Sequence, residues 1–250
     1  MISTRKLSTY PKLFRVITPE GLKSKTKNAS SQHWLSRQLS DPYVEKARML
    51  NYRCRSAFKL IEIDDKYKIL QPGHVVLDVG ASPGSWTQVI VQRNNSNGSS
   101  KDLPTGISVA IDKQQIYPID GATILGNMDF TDPISQKLLL DHLGGRKADA
   151  IVSDMAPSAT GMRQLDTENI IKLCYSVLRF ALQVSKPDGS LLVKLWQCHE
   201  LKKLELDMAL FYGNVKIVKP QSSRSDSAEI FLLGRRFKGA KPIQQGTAPK

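Results

Sequence analysis

Cysteine is scarce. The 250 residues contain three, Cys54, Cys174 and Cys198, far apart and without a CxxC pair. That spacing supports neither a disulfide framework nor a zinc site and fits a reducing compartment. The four histidines are scattered as well, so no metal is expected. No apolar run approaches the roughly 20 residues that a membrane helix needs. Internal repeats are absent. Acid is in short supply: 23 Asp and Glu face 36 Lys and Arg, a formal net charge of +13. A surplus spread through one domain points to a polyanionic partner, most often nucleic acid.

What is present divides into three parts. Residues 1–40 carry eight Lys and Arg against the single acid Glu20, with frequent Ser and Thr. That is the composition of a mitochondrial transit peptide, or of a disordered basic arm that touches RNA. Residues 41–237 form the expected domain, and 238–250 a basic, flexible tail. In the domain, one helical pattern runs through "DPYVEKARMLNYRCRSAFKLIEIDDKY", with Asp41 as its cap and Pro42 at its first position. From Val75 onward, buried strands alternate with helices. This predicts a three-layer α/β domain with a mostly parallel sheet. The polar stretch "NNSNGSSKDLPTG" is expected to be a mobile loop, and "KPDGS" a turn into the strand "LLVKLW".

Ligands of such sheets bind beyond the carboxyl ends of the strands. The first strand ends in "VVLDVGASPGSWTQ". Gly80, Ala81 and Gly84 let the backbone approach a ligand closely. A dinucleotide site would read G-x-G-x-x-G with a pyrophosphate on the helix N-terminus. Here Pro83 interrupts the loop and removes an N–H donor, which disfavours a nicotinamide dehydrogenase. Asp112 ends the second strand, placed for ribose hydroxyls. Asp129 follows the third, placed for an adenine edge. Together they suggest an adenosine without phosphates, hence S-adenosylmethionine. Any one acid could instead cap a helix, the better reading of Asp132. Asp154 ends the fourth strand where a reacting group would sit. Lys194 lies inside an apolar strand, costly unless it serves a purpose or reaches water. Glu229 opens the last strand, where an ordinary surface acid is the alternative.

The blocks "RCRSAFKL", "LDVGASPGSW", "DAIVSDMAPSATG", "LLVKLW" and "SRSDSAEIFLL" resemble the FtsJ-type ribosomal RNA ribose 2′-O-methyltransferases, over about residues 41–237. The resemblance implies a Rossmann-like methyltransferase fold of seven strands, the last antiparallel. It implies a catalytic tetrad of Lys59, Asp154, Lys194 and Glu229. It puts cofactor contacts on Gly84, Trp86, Asp112, Asp129 and Asp154, with Ser85 replacing the second glycine of the usual "PGGW". Trp86 would then lie beside the methionine part of the cofactor or brace the loop on the core. The long loop 94–106 is a second departure and leaves the cofactor lid open to question. With the basic N-terminal segment, the resemblance implies a mitochondrial member acting on a uridine of large-subunit rRNA or on the assembling subunit. The alternatives are a tRNA or mRNA-cap ribose methyltransferase and a non-catalytic assembly factor.

A ribose hydroxyl is a poor nucleophile, so its proton must be taken away. A lysine accepts it only when neutral, and its reference pKa is about 10.4. Burial and Lys59 would favour the neutral form of Lys194, whereas Asp154 and Glu229 would favour the charged one. Lys194 is expected to be the base or to polarise the hydroxyl. RNA is expected along Lys46, Arg48, Arg53 and Arg55 and at Arg224.

Overall fold

The computed structural model describes residues 40–239. The expected transit peptide and most of the basic tail lie outside them. The chain divides into two units, Met1–Glu45 and Lys46–Lys250. Of the first, the described part is the start of helix α1 (Pro42–Met49), where Tyr43 N donates to Asp41 Oδ1 at 3.1 Å. Among the described residues no helix is long and apolar enough to cross a membrane.

The single helical pattern expected from Asp41 to Tyr67 is two helices, and the reason is Asn51. Tyr52 N donates to Ala47 O at 2.8 Å and Asn51 N to Arg48 O at 3.2 Å, while Asn51 turns left-handed at φ 58°. This paired closure stops a helix, and asparagine is the residue after glycine that best tolerates the turn. Helix α2 (Ala57–Tyr67) then follows as a separate helix.

The order that follows is β1 (Val75–Val79), α3 (Ser85–Asn94), β2 (Ile107–Ile111), β3 (Ala122–Leu125), α4 (Pro133–Leu143) and β4 (Ala148–Ser153). After these come α5 (Arg163–Val184), β5 (Ser185–Trp196), α6 (Leu201–Phe211), β6 (Tyr212–Val218) and β7 (Glu229–Phe237). The seven strands lie in the order β3-β2-β1-β4-β5-β7-β6. Strands β1 to β5 pair in parallel, and β7 runs antiparallel to both β5 and β6. This is the expected seven-stranded, mostly parallel architecture.

Both faces of the sheet are covered, which is why its central strands are continuous apolar runs. Side chains alternate across the sheet. Leu77, Ile151, Leu191 and Val193 face α4, α5 and α6, packing with Leu139, Ile170, Val177 and Met208. Val76, Val152, Leu192 and Phe231 face α2 and α3, packing with Leu60, Ile63, Trp86 and Ile90. The register Val152↔Asp78 and Val152↔Leu192 brings the carboxyl ends of β1, β4 and β5 to one edge.

Two local expectations change. "KPDGS" is not a turn before β5 but a bulge within it: Ala148 pairs with Ser185 and Ala150 with Ser190, so Lys186–Gly189 stand opposite Asp149 alone. The stretch expected to be mobile, 94–106, is tied down by two asparagines. Asn94 Nδ2 donates to His74 O, Ile107 O and Ser108 Oγ at 3.0–3.2 Å. Asn95 Nδ2 reaches Ser100 O at 2.9 Å and Leu103 O at 3.1 Å. A polar composition carries no apolar period, yet buried amides can hold such a loop as firmly as packing does. Asn94→Ala should therefore cost about 1–3 kcal/mol, because it strands buried acceptors. Urea unfolding would measure this; an unchanged midpoint would contradict the assigned role of Asn94.

Candidate active site

At the carboxyl edge of the sheet, four ionic side chains meet in two pairs. Lys194 of β5 places Nζ 2.9 Å from Asp154 Oδ1, at the end of β4. Nζ also donates to the main-chain oxygen of Asp154 at 2.6 Å. Lys59 of α2 bridges both oxygens of Glu229 at the start of β7, at 2.7 and 2.8 Å. The four side chains are 11–18% exposed, shielded from bulk water yet reachable by a substrate. Burial alone would raise the Asp154 carboxyl. The attraction of Lys194 and Lys59, with a hydrogen bond from Ser56, outweighs it and holds Asp154 below the usual carboxylate range.

Two serines that carry no signal in the sequence complete this arrangement. Ser56 Oγ donates to Asp154 Oδ2 at 2.7 Å, and Ser223 Oγ to Glu229 Oε1 at 2.9 Å. The main-chain oxygen of Ser56 in turn accepts Trp86 Nε1 at 2.8 Å. Nothing in a lone serine marks such a role. Only the fold brings residue 56 to residue 154.

Next to the pairs, a cleft of 450 Å³ opens, lined by Gly80, Ser82, Asp112, Asp129, Asp154 and the α5 residue Asn169, among others. Gly80 is left-handed at φ 79°, and a Cβ there would come 2.3 Å from Met155 Cγ, so the loops after β1 and β4 touch backbone to backbone. Asp112 spends its carboxylate on the loop: Oδ2 accepts Ser82 N at 2.9 Å and Oδ1 accepts Gln114 N at 2.7 Å. Each oxygen keeps a further lone pair for a ligand hydroxyl. Asp129 Oδ1 accepts Thr131 Oγ1 at 2.7 Å and Thr131 N at 2.8 Å, and these bonds hold its carboxyl below the usual range.

The remaining loop residues support the cleft rather than line it. Trp86 is buried against Phe231, with ring centroids 5.7 Å apart. Ala81 and Ser85 are buried too, and Cys54 Sγ donates to Ser85 Oγ at 3.0 Å. Pro83 and Gly84 are held from outside by Arg53. The Arg53 guanidinium donates to Pro83 O, Tyr117 O and Pro118 O, each at 2.8 Å. A Cβ on Gly84 (φ 107°) would come 2.6 Å from Arg53 Nη1. The sequence places Arg53 among the residues expected to hold RNA. Its five donors are better matched to these carbonyls, and it clamps the loop behind the cleft. Of the other expected RNA contacts, Arg48 is exposed, and Lys46 Nζ lies 4.9 Å from the Phe58 ring centre. Arg55 donates to Ser222 O. Burial and the neighbouring Arg224 lower the Arg55 guanidinium against the pull of Glu229, so this arginine pair borders the site.

A match to the model of the FtsJ-like methyltransferases covers residues 52–237. The chain belongs to this family. The mitochondrial rRNA methyltransferase 2 of Drosophila melanogaster is 58% identical over 222 residues, 89% of this chain and 88% of that one. The ribosomal RNA large subunit methyltransferase E of Rhodopseudomonas palustris is 41% identical, covering 86% and 89%. A crystal structure of a ribosomal RNA methyltransferase from Plasmodium falciparum aligns with a TM-score of 0.63 and 31% identity, over 76% of this chain and all of that one.

Methyl transfer in the FtsJ-like family uses S-adenosylmethionine, and the cleft suits it. The acids Asp112, Asp129 and Asp154 outnumber the cleft cations Lys113 and Lys172. That balance favours a cationic, phosphate-free nucleoside over a diphosphate. Among the described residues no group of three or more His, Cys, Asp or Glu is arranged to hold a metal ion.

Behind the cleft sits Asp78, 1% exposed, with Oδ2 accepting Thr87 Oγ1 at 2.6 Å and Oδ1 without a partner. Burial first, then the charges of Asp154 and Asp112, push its carboxyl up to about 7, against the hydrogen bond from Thr87. A carboxyl raised in this way binds its proton more tightly in the folded chain. Its burial therefore costs stability as pH climbs from about 4 towards 7. Asp78→Asn should be more stable than the parent at pH 8 by about 2–4 kcal/mol, with the difference vanishing near pH 4. Urea unfolding at both pH values checks this; equal stability at pH 8 would contradict it.

Proposed function

We propose that this chain transfers a methyl group from S-adenosylmethionine to a ribose 2′-hydroxyl, that of a uridine, in the large-subunit rRNA of the mitochondrion. The substrate is the free rRNA or the assembling large subunit in the matrix. The observation that carries the reading is Lys194, whose Nζ is held by both the side chain and the main chain of the cleft residue Asp154. The names of the relatives favour rRNA over tRNA or an mRNA cap, and the fruit-fly relative favours the mitochondrion.

In this reading Asp112 and Asp129 hold the nucleoside part of the cofactor through its hydroxyls and base edge. Gly80 and Ser82 give it a close main-chain wall, while Pro83, Gly84, Ser85, Trp86 and Ala81 shape that wall from behind. When bound, the cofactor supplies a methyl group on a positively charged sulfur. The ribose oxygen gains the methyl group and loses its proton. Lys194 Nζ first gives a proton to water. The neutral amine then takes the proton of the ribose hydroxyl and is restored to the ammonium that pairs with Asp154. Asp154 fixes the direction of Nζ. Lys59, locked on Glu229, adds positive charge beside the oxygen as it becomes negative, and Glu229 keeps Lys59 from swinging onto Asp154.

Proton transfer of this kind contributes about 10²–10⁴ in rate. Lys194→Ala should lower kcat for ribose methylation by that factor while cofactor affinity, read by calorimetry, stays within a few-fold. Methylation near the wild-type rate would remove Lys194 from the role. Glu229→Gln should leave Lys59 in place but less constrained and cost a smaller factor, about tenfold. Mapping ribose methylation across mitochondrial and cytosolic RNA in cells lacking the protein tests the substrate. Loss of one large-subunit rRNA mark is expected, and loss confined to tRNA would overturn the assignment.

A further inference from the structure

The opposite edge of the sheet holds a second concavity, of 400 Å³, that the methyl-transfer reaction leaves unused. Its wall is formed by Lys68 at the end of α2, His74 before β1, Asp149 on β4, the β5 bulge, and Arg235 and Arg236 at the end of β7. Asp149 and the catalytic-edge Asp154 are five positions apart on one strand, about 16 Å at the strand rise.

Three features single this groove out. The first is charge. Lys186 is neutralised by Asp149 at 2.8 Å, but Lys68, Arg235 and Arg236 have no ion-pair partner among the described residues. The second is backbone strain. Six described residues other than glycine are left-handed. Three are asparagines, which tolerate that conformation. The other three, Lys68 (φ 53°), Asp188 (φ 64°) and Arg236 (φ 58°), all line this groove. Lys68 takes the conformation as the left-handed cap that closes α2, and Asp188 shares the tolerance of asparagine. The strained residue is therefore Arg236, at about 1 kcal/mol or more, and strain of this kind gathers where a ligand is held. At Arg236 it has a visible effect. Successive side chains of a regular strand point to opposite faces, yet Arg235 and Arg236 both line the groove. The third is the imidazole of His74, whose Nδ1 is buried without a hydrogen-bond partner.

Paired arginines and a lysine suit a phosphodiester. We propose that this groove is a second RNA-binding site, which grips the phosphate backbone of a segment of the substrate RNA remote from the methylated ribose. The proposal rests on the rRNA reading above. Gripping two segments at opposite edges of the sheet lets the enzyme favour a folded RNA over a short single strand.

The test is binding of a large-subunit rRNA fragment by fluorescence anisotropy across a KCl series. The protein carries Arg235→Gln with Arg236→Asn, the second change chosen because asparagine keeps the left-handed backbone. The salt slope should become shallower by about 1 for each phosphate that the variant no longer neutralises, and low-salt affinity should fall roughly tenfold. The kcat at saturating RNA and the cofactor affinity should not change. Lys68→Gln with Arg235→Gln leaves Arg236 untouched and should act the same way, should the first pair of changes lower the melting temperature. An unchanged slope and affinity in both double variants would overturn the groove. So would unchanged RNA binding together with abolished binding to phosphatidylcholine vesicles containing phosphatidylglycerol, which would assign the groove to lipid phosphate. Lys194→Ala separates the two claims, since it should lower methylation by about 10²–10⁴ and keep the wild-type salt slope. Failure of the wild-type protein to bind or methylate rRNA would instead overturn the rRNA reading itself.

Discussion

Opposite charges held out of water at one sheet edge constrain everything else in this molecule. An ion taken from water costs several kcal/mol, and only close pairing with further hydrogen bonds offsets that. Lys194 and Asp154 meet because β4 and β5 are parallel neighbours, and Lys59 and Glu229 because α2 packs across the start of β7. Ser56 and Ser223 supply the added hydrogen bonds. The chain must therefore break its leading helix at Asn51 so that α2 can approach the sheet at the angle that Lys59 needs. Trp86, tied to Ser56 O from the first loop, fixes that approach.

The cleft obeys a second constraint, closeness of backbone. Gly80 and Gly84 are the positions where a side chain would collide, with Met155 in one case and Arg53 in the other. Arg53 links the leader before α2 to the loops after β1 and β2 through three carbonyls. The segment that carries Lys59 thus also fixes the wall of the cleft. The two halves of the site cannot move independently.

Strands β1, β4 and β5 are legible in the sequence because a strand buried on both faces must be an unbroken apolar run. Asp154 at the end of β4 and Lys194 within β5 stand out because a charge in or at the close of such a run needs a reason, although an acid there can also cap a helix. The count of seven strands and the antiparallel last one come from resemblance rather than from pattern, and the strand order from the structure, since periodicity cannot say which strand pairs with which. Features that depend on three-dimensional neighbours stay hidden: Ser56 against Asp154, Ser223 against Glu229, and Arg53 against three carbonyls. Local composition also misleads. A polar stretch at 94–106 reads as mobile although Asn94 and Asn95 pin it, and "KPDGS" reads as a turn although its residues bulge within a strand. In both places hydrogen bonds between distant residues outweigh what the local composition favours.

The central claim is that the site is built from charges that neutralise one another. The most direct measurement is a double-mutant cycle on Lys194 and Asp154, read as unfolding free energy in urea at neutral pH. Lys194→Met and Asp154→Asn should each destabilise by about 2–4 kcal/mol, because each leaves the other charge buried and alone. The double variant should cost at least about 1 kcal/mol less than the sum of the two. Additivity to within about 0.5 kcal/mol would mean that the two groups do not stabilise each other, and it would contradict the account.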